Sequence, residues 1–168
     1  MDASNEYAGA PGRRVAVTPY NQRMAGRVAR RAHLSEQAVA VAFTFNNLPT
    51  MLTVGLVEDL ANLVPSLGGA VEAALSLLSF YFHRIVLVTD QHVYVYRDLP
   101  LHRPGKLLAS YDRGPGVVRI GSANQGWFSR LIRRGQLTFN DGTVVYHGIF
   151  WIRRAQYVAQ EANIPPGQ

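Results

Sequence analysis

The sequence predicts an α+β domain that is mainly β: seven short strands, a helical insert between the first two, and an amphipathic helix near the C-terminal end. Three observations predict it. From Arg84 onward, short runs of β-branched and aromatic residues follow one another between turn signals. Asn140-Asp141-Gly142 separates two such runs and marks a hairpin, because Asp and Gly tolerate the positive φ that tight turns demand. Phe150 to Ala162 then changes to helical spacing, with Trp151, Ala155, Val158 and Ala162 at i, i+4, i+7 and i+11, until Pro165 and Pro166 stop it. A length of 168 residues suits one domain with extensions.

Residues 1 to about 22 mix Gly, Pro, Asn and Arg without periodicity and are expected to form an arm; the arm as a whole spans 1–32. Its last part, Arg23 to Ala32, is expected as a short helix with Arg23, Arg27, Arg30 and Arg31 largely on one side. The domain proper spans 33–162 and opens with a strand over Gln37 to Phe45, ended by Asn46, Asn47 and Pro49. An insert at 47–83 follows. Leu56, Leu60 and Leu63 sit there at helical spacing, Pro65, Gly68 and Gly69 interrupt it, and a second helix is expected from Ala70 to Phe82. One side of that helix carries Val71, Ala74, Leu75, Leu78 and Phe82, and Leu77, Phe80 and Tyr81 widen it into a face that must be buried against something. Strands are then expected at 84–89, 92–97, 106–111, 117–120, 136–139 and 143–147, with a short tail at 163–168.

Charge is unevenly spread. The net charge is +6, with 16 Arg against the single Lys106, and the Arg crowd both flanks while residues 32 to 83 contain no Lys or Arg. An Arg-for-Lys bias also follows from genomic base composition, so the clustering says more than the count. The absence of Cys removes disulfides and cysteine-ligated metal sites and fits a reducing cytoplasm. No apolar run follows the first basic residues as a secretory signal requires. Leu60 to Phe82 is interrupted by Asn62, Pro65, Gly68, Gly69 and Glu72, which argues against a spanning helix. The expected location is the cytoplasm, with peripheral placement on the inner membrane face.

Three local stretches resemble bacterial pleckstrin-homology-like (PH-like) domains: HLSEQAVAVAF at 33–43 their opening strand, RIVLVTDQHVYVYR at 84–97 their Val-Thr-Asp hairpin, and LTFNDGTVVYHGI at 137–149 their last hairpin. Seven strands followed by one helix is also their element order. The resemblance covers roughly residues 33–162 and implies a seven-stranded barrel capped by the C-terminal helix, used as a scaffold or docking module. One feature departs from it. Lipid-binding PH domains place Lys and Arg between the first two strands, and the corresponding insert here has none, so their headgroup site is not carried over.

Motifs for catalysis are weak. Asp90 and His92 flank a turn, where Asp accepting backbone N–H bonds is the simpler role than orienting His92 as a base. His33, His83, His92, His102 and His147 lie in different elements without HxxxH or HxH spacing, so no metal is expected. Neither Gly-bearing loop, 114–116 or 121–126, has a phosphate-cradling pattern, and no GxSxG occurs. No enzyme activity, cofactor or small-molecule substrate is therefore expected. GWFSRLIRRG at 126–135 instead sets Trp127 and Phe128 beside Arg130, Arg133 and Arg134, a composition suited to a membrane interface, a phosphate-rich partner or an acidic protein surface.

The expected function is a non-catalytic adaptor that docks on a protein complex or the inner membrane face. Its contacts are expected through Leu75, Leu78, Phe80, Tyr81, Phe82 and the loop residues Trp127, Phe128, Arg130, Arg133 and Arg134. A protein partner or homo-oligomer is the main expectation and an anionic membrane the next. A nucleic-acid-binding accessory protein, using Arg23, Arg27, Arg30, Arg31 and the arginines of 130–134, is the less favoured alternative.

Overall fold

The computed structural model describes residues 15–46, 83–122, 135–147 and 152–167. The expected insert contacts at 70–82 and the loop 126–134 lie outside the described residues. Helix α1 runs Pro19–Arg31, strand β1 Ala38–Phe45, β2 His83–Thr89, β3 His92–Leu99, β4 Arg103–Asp112, β5 Val118–Ser122, β6 Gly135–Phe139, β7 Val144–His147, and helix α2 Ile152–Ala162. The seven strands form one antiparallel sheet in the order β4-β3-β2-β1-β7-β6-β5. The sheet is not closed, and β4 and β5 are its edges.

Both faces of the middle of the sheet are covered. On one face Ala40, Ala42, Val86, Val88, Val93, Val95, Leu137 and Val145 pack with Ala155, Val158 and Ala162 of α2. On the other, Val41, Phe43, Ile85, Leu87 and Tyr96 pack with Ala25, Val28 and Ala29 of α1. This double cover explains why AVAVAF and IVLV are apolar at every position instead of at every second one. β4 is largely exposed along its length. Its Pro104 and Gly105 are tolerated because an outermost strand can spare a ladder hydrogen bond.

Helix α1 begins four residues before the expected start, at a Thr18 N-cap whose hydroxyl accepts from the Asn21 N–H at 3.3 Å, with Pro19 in the first turn. It ends where His33 takes φ +57°, Leu34 N–H donates to Ala29 O and His33 N–H to Arg30 O, the paired bonds that close a helix in the left-handed conformation. From Val15 the N-terminal stretch is tied to α2, since Gln160 bonds both the N–H and the carbonyl of Val15.

Two asparagines act as surrogate strand partners. Asn21, 1% exposed, donates to Val41 O at 2.8 Å and accepts from Val41 N–H at 3.0 Å, fastening α1 to β1. Asn163 does the same for edge strand β5, donating to Val118 O at 2.6 Å and accepting from Val118 N–H at 3.3 Å. Each satisfies two backbone groups that the ladder leaves over, and an unsatisfied buried one costs about 1–3 kcal/mol. Arg113 caps the far end of α2: its Nε and Nη2 donate to Glu161 O and its Nη1 to the carbonyls of Thr89 and Asp90.

Candidate functional site

Asp90 in the turn between β2 and β3 binds backbone, but that of a distant segment and not of its own turn. Asp90 Oδ1 accepts from Gln37 N–H at 3.1 Å, and Asp90 N–H donates to Gln37 O at 2.8 Å, so the pair clips the turn to the chain leading into β1. His92 takes a different partner. Its Nδ1 lies 2.9 Å from Glu36 Oε1 and its Nε2 3.4 Å from Asp112 Oδ1. Glu36 also accepts from Tyr94 Oη at 2.7 Å and from the Thr89 hydroxyl, while Thr89 Oγ1 accepts from His92 N–H at 3.0 Å. Burial would raise the Glu36 carboxyl, yet the bonds from Thr89, Tyr94 and His92 overcome it and hold Glu36 below its ordinary value. Burial and the bond to Glu36 push Tyr94 up. Every member has a partner, and the network fastens residue 36 to the β2–β3 hairpin.

The opposite end of the sheet holds a second carboxylate–histidine pair of another kind. Asp98 Oδ2 lies 3.0 Å from His102 Nδ1, and the Asp98 side chain is 1% exposed. Its Oδ1 is buried and has no hydrogen-bond partner among the described residues. Burial raises the Asp98 carboxyl, with the bond and charge of His102 opposing it. His102 rests on Phe43 at 3.9 Å between ring centroids.

The backbone between these two residues is strained. Leu101 has φ +63° and His102 φ +52°, a region where consecutive side chains with a Cβ are disfavoured. Three contacts hold the turn there: the Asp98–His102 bond, the Phe43–His102 stack, and Arg31 of α1, whose Nη1 donates to Leu101 O at 2.6 Å and lies 3.4 Å from His102 O. Leu101 itself points to solvent, 73% exposed. Nearby, Arg84 and Arg97 are cross-strand neighbours, and burial followed by the charge of Arg97 lowers the Arg84 guanidinium. Burial, then the charges of His102 and Arg84, bring His83 down to about 4, so it is neutral near pH 7.

The chain matches no family model, no curated protein and no solved structure.

The arginines singled out in the sequence fall together. Arg23, Arg27, Arg30 and Arg31 are all exposed and lie within about 100° of arc on α1, opposite the buried Asn21, Ala25, Val28 and Ala29. Tyr20 shares that arc, 58% exposed, with the Arg154 guanidinium 5.2 Å from its ring centroid. Of the six large hydrophobic residues exposed among the described ones, Leu99, Leu101, Leu107 and Leu108 belong to the β3–β4 hairpin. Leu99 and Leu101 lie at its tip, which Arg31 ties to the basic helix, and Leu107 and Leu108 lie further along β4. His147 proves to be a core residue, 1% exposed and so close under Gly135 that a Cβ there would collide with its imidazole.

Among the described residues no helix is long and apolar enough to cross a membrane, and no group of His, Asp and Glu could hold a metal ion. Glu36, Asp98, His102 and Leu101 were not legible as site residues. The Glu36–His92 contact spans 56 positions, and nothing local announces it. Asp98 and His102 stand four apart across a hairpin; Pro100 and the Arg103-Pro104-Gly105 run were the available sign of an unusual turn.

Proposed function

We propose that this chain is a non-catalytic docking module of the PH-like type, an adaptor that seats on a protein complex or on the cytoplasmic membrane face. The strand order supports the architecture: a β1–β4 meander and a β5–β7 meander meet at the Phe45↔Tyr146 pair, and α2 packs against residues from both. The observation that carries the docking role is the exposed arginine face of α1 joined through Arg31 to the exposed leucine tip of the β3–β4 hairpin. Residues 70–82 and 126–134 remain further candidate contacts on the strength of their sequence.

The test incubates the full chain with native membranes, with membranes stripped of peripheral proteins, and with cytosolic extract, beside an Arg23→Glu/Arg27→Glu/Arg30→Glu variant. Retention in at least one fraction, lost in the triple variant, is expected. No retention anywhere ends the reading.

The four exposed arginines on one helix face also favour a second reading, nucleic-acid binding by charge. It requires an affinity for DNA or RNA that falls steeply with salt and collapses in the triple variant. An unchanged affinity in that variant excludes it.

A further inference from the structure

We propose that the surface formed by α1 and the β3–β4 tip takes an anionic lipid bilayer, with the arginines of α1 over the headgroups and Leu101 entering the interface; this rests on the docking role proposed above. Charge is the first argument. Helix α1 contains no Asp or Glu, and neither does the hairpin from Leu99 to Tyr111, while Arg103 and Lys106 of that hairpin are exposed. Asp98, beside the tip, is buried. Among the described residues the surface formed by α1 and the tip is therefore of one sign, with the exposed Asp112 at the far end of β4, and an anionic layer complements it over an area, not at one matched point.

The tip is the second argument. A single exposed leucine needs no explanation by itself. Leu101 differs because it is held in a left-handed conformation that Gly or Asn would adopt more readily, by a buried carboxylate, a ring stack and an arginine from α1. Those contacts all act on Leu101 and His102 backbone or on the His102 ring, and none covers the Leu101 side chain, which contributes little to the core. A protein partner would need a pocket matched to that knob. A bilayer interface accepts an apolar knob wherever it lands, and Tyr20 on the arginine arc is the kind of aromatic residue that settles at headgroup level.

Flotation of the full chain on phosphatidylcholine vesicles, with and without phosphatidylglycerol, tests it. Binding is expected only where phosphatidylglycerol is present, weakening as salt is raised, and falling about fivefold for each of Arg23, Arg27 and Arg30 changed to Gln. Those three are exposed, so thermal melting is expected to show intact folding. Leu101→Asn keeps the left-handed turn, because Asn tolerates it, and is expected to lower vesicle affinity about fivefold; Leu101→Trp is expected to match or exceed the native chain. Equal binding to both vesicle types, or unchanged affinity in Leu101→Asn, overturns the proposal. Retention on native membranes without any on phosphatidylglycerol vesicles also overturns it while leaving the docking role standing, with a membrane protein as the partner.

Discussion

The two ends of the sheet each carry a histidine whose Nδ1 meets a carboxylate, and the pairs behave in opposite ways. At one end Glu36 collects three donors and its charge is favoured. At the other, Asp98 has one donor, lies deeper, and its charge is disfavoured. Both are carboxylate–imidazole pairs, so the difference comes from desolvation set against the number of hydrogen bonds supplied. Glu36 is a staple that fastens a loop to a hairpin. Asp98 holds a strained turn at a cost, and that cost is spent where an exposed leucine meets a basic helix.

The largest effect expected from breaking this contrast is on the staple. Glu36→Ala removes the acceptor for Thr89, Tyr94 and His92 together, and is expected to lower unfolding free energy by about 1–3 kcal/mol, the partial exposure of the site letting water replace some bonds. Asp98→Asn keeps an acceptor for His102 Nδ1 and removes a buried charge, so its effect at pH 7 is expected within about 1 kcal/mol of zero or stabilising. Urea titration of both variants measures this. Equal losses would mean that the two pairs do the same work.

Next comes pH, where the two carboxylates differ in sign. Glu36 has a folded pKa below its ordinary 4.5, so its contribution is present above that value and is lost as pH falls through the folded one. Asp98 has a folded pKa above its ordinary 3.8, so the folded state binds that proton more tightly and the penalty is relieved on acidification. Glu36→Gln is therefore expected to destabilise near neutrality, by an amount that shrinks in acid. Asp98→Asn is expected to show a gain near neutrality that shrinks in acid. His83 adds a third slope: between pH 6.5 and about 4 the unfolded chain takes up a proton that the folded chain does not, so stability falls with pH across that window and His83→Gln flattens the fall. Denaturation at a series of pH values reads all three.

How far the sequence led differs between local and distant features. The Asn140-Asp141-Gly142 turn is as expected, with Gly142 at φ +85° and Asp141 Oδ1 accepting from Thr143 N–H at 2.8 Å, because a tight turn is specified by its own residues. The β2–β3 hairpin was legible for the same reason, but the Asp90 carboxylate accepts from Gln37 N–H, 53 positions away, and within the turn it is Thr89 Oγ1 that accepts from His92 N–H. Helix α1 is legible as a short basic helix at the end of an arm, but its Thr18-Pro19 start and its packing are not, since Ala25, Val28 and Ala29 bury one side against β1 and β2. Asn21–Val41 and Asn163–Val118 were not legible, since they depend on which strand edge a helix meets after folding. The insert's last residue, His83, belongs to β2, where it pairs with Phe45.

The smallest effect separates strain that serves the fold from strain that serves the tip. His33 and Leu101 both occupy the left-handed region, at φ +57° and +63°. Glycine at either position removes the Cβ conflict but adds backbone freedom to the unfolded chain, so each substitution is expected to stabilise by about 0–1 kcal/mol. At His33 nothing further is expected, because the residue closes α1 and glycine closes helices well. At Leu101 the same gain in stability is expected together with weaker membrane retention, since the side chain held outward is gone. Melting temperature and membrane retention of His33→Gly and Leu101→Gly, measured side by side, decide the matter: parallel retention in both would place the tip's strain with ordinary helix and turn closure, whereas loss in Leu101→Gly alone ties the strained turn to docking.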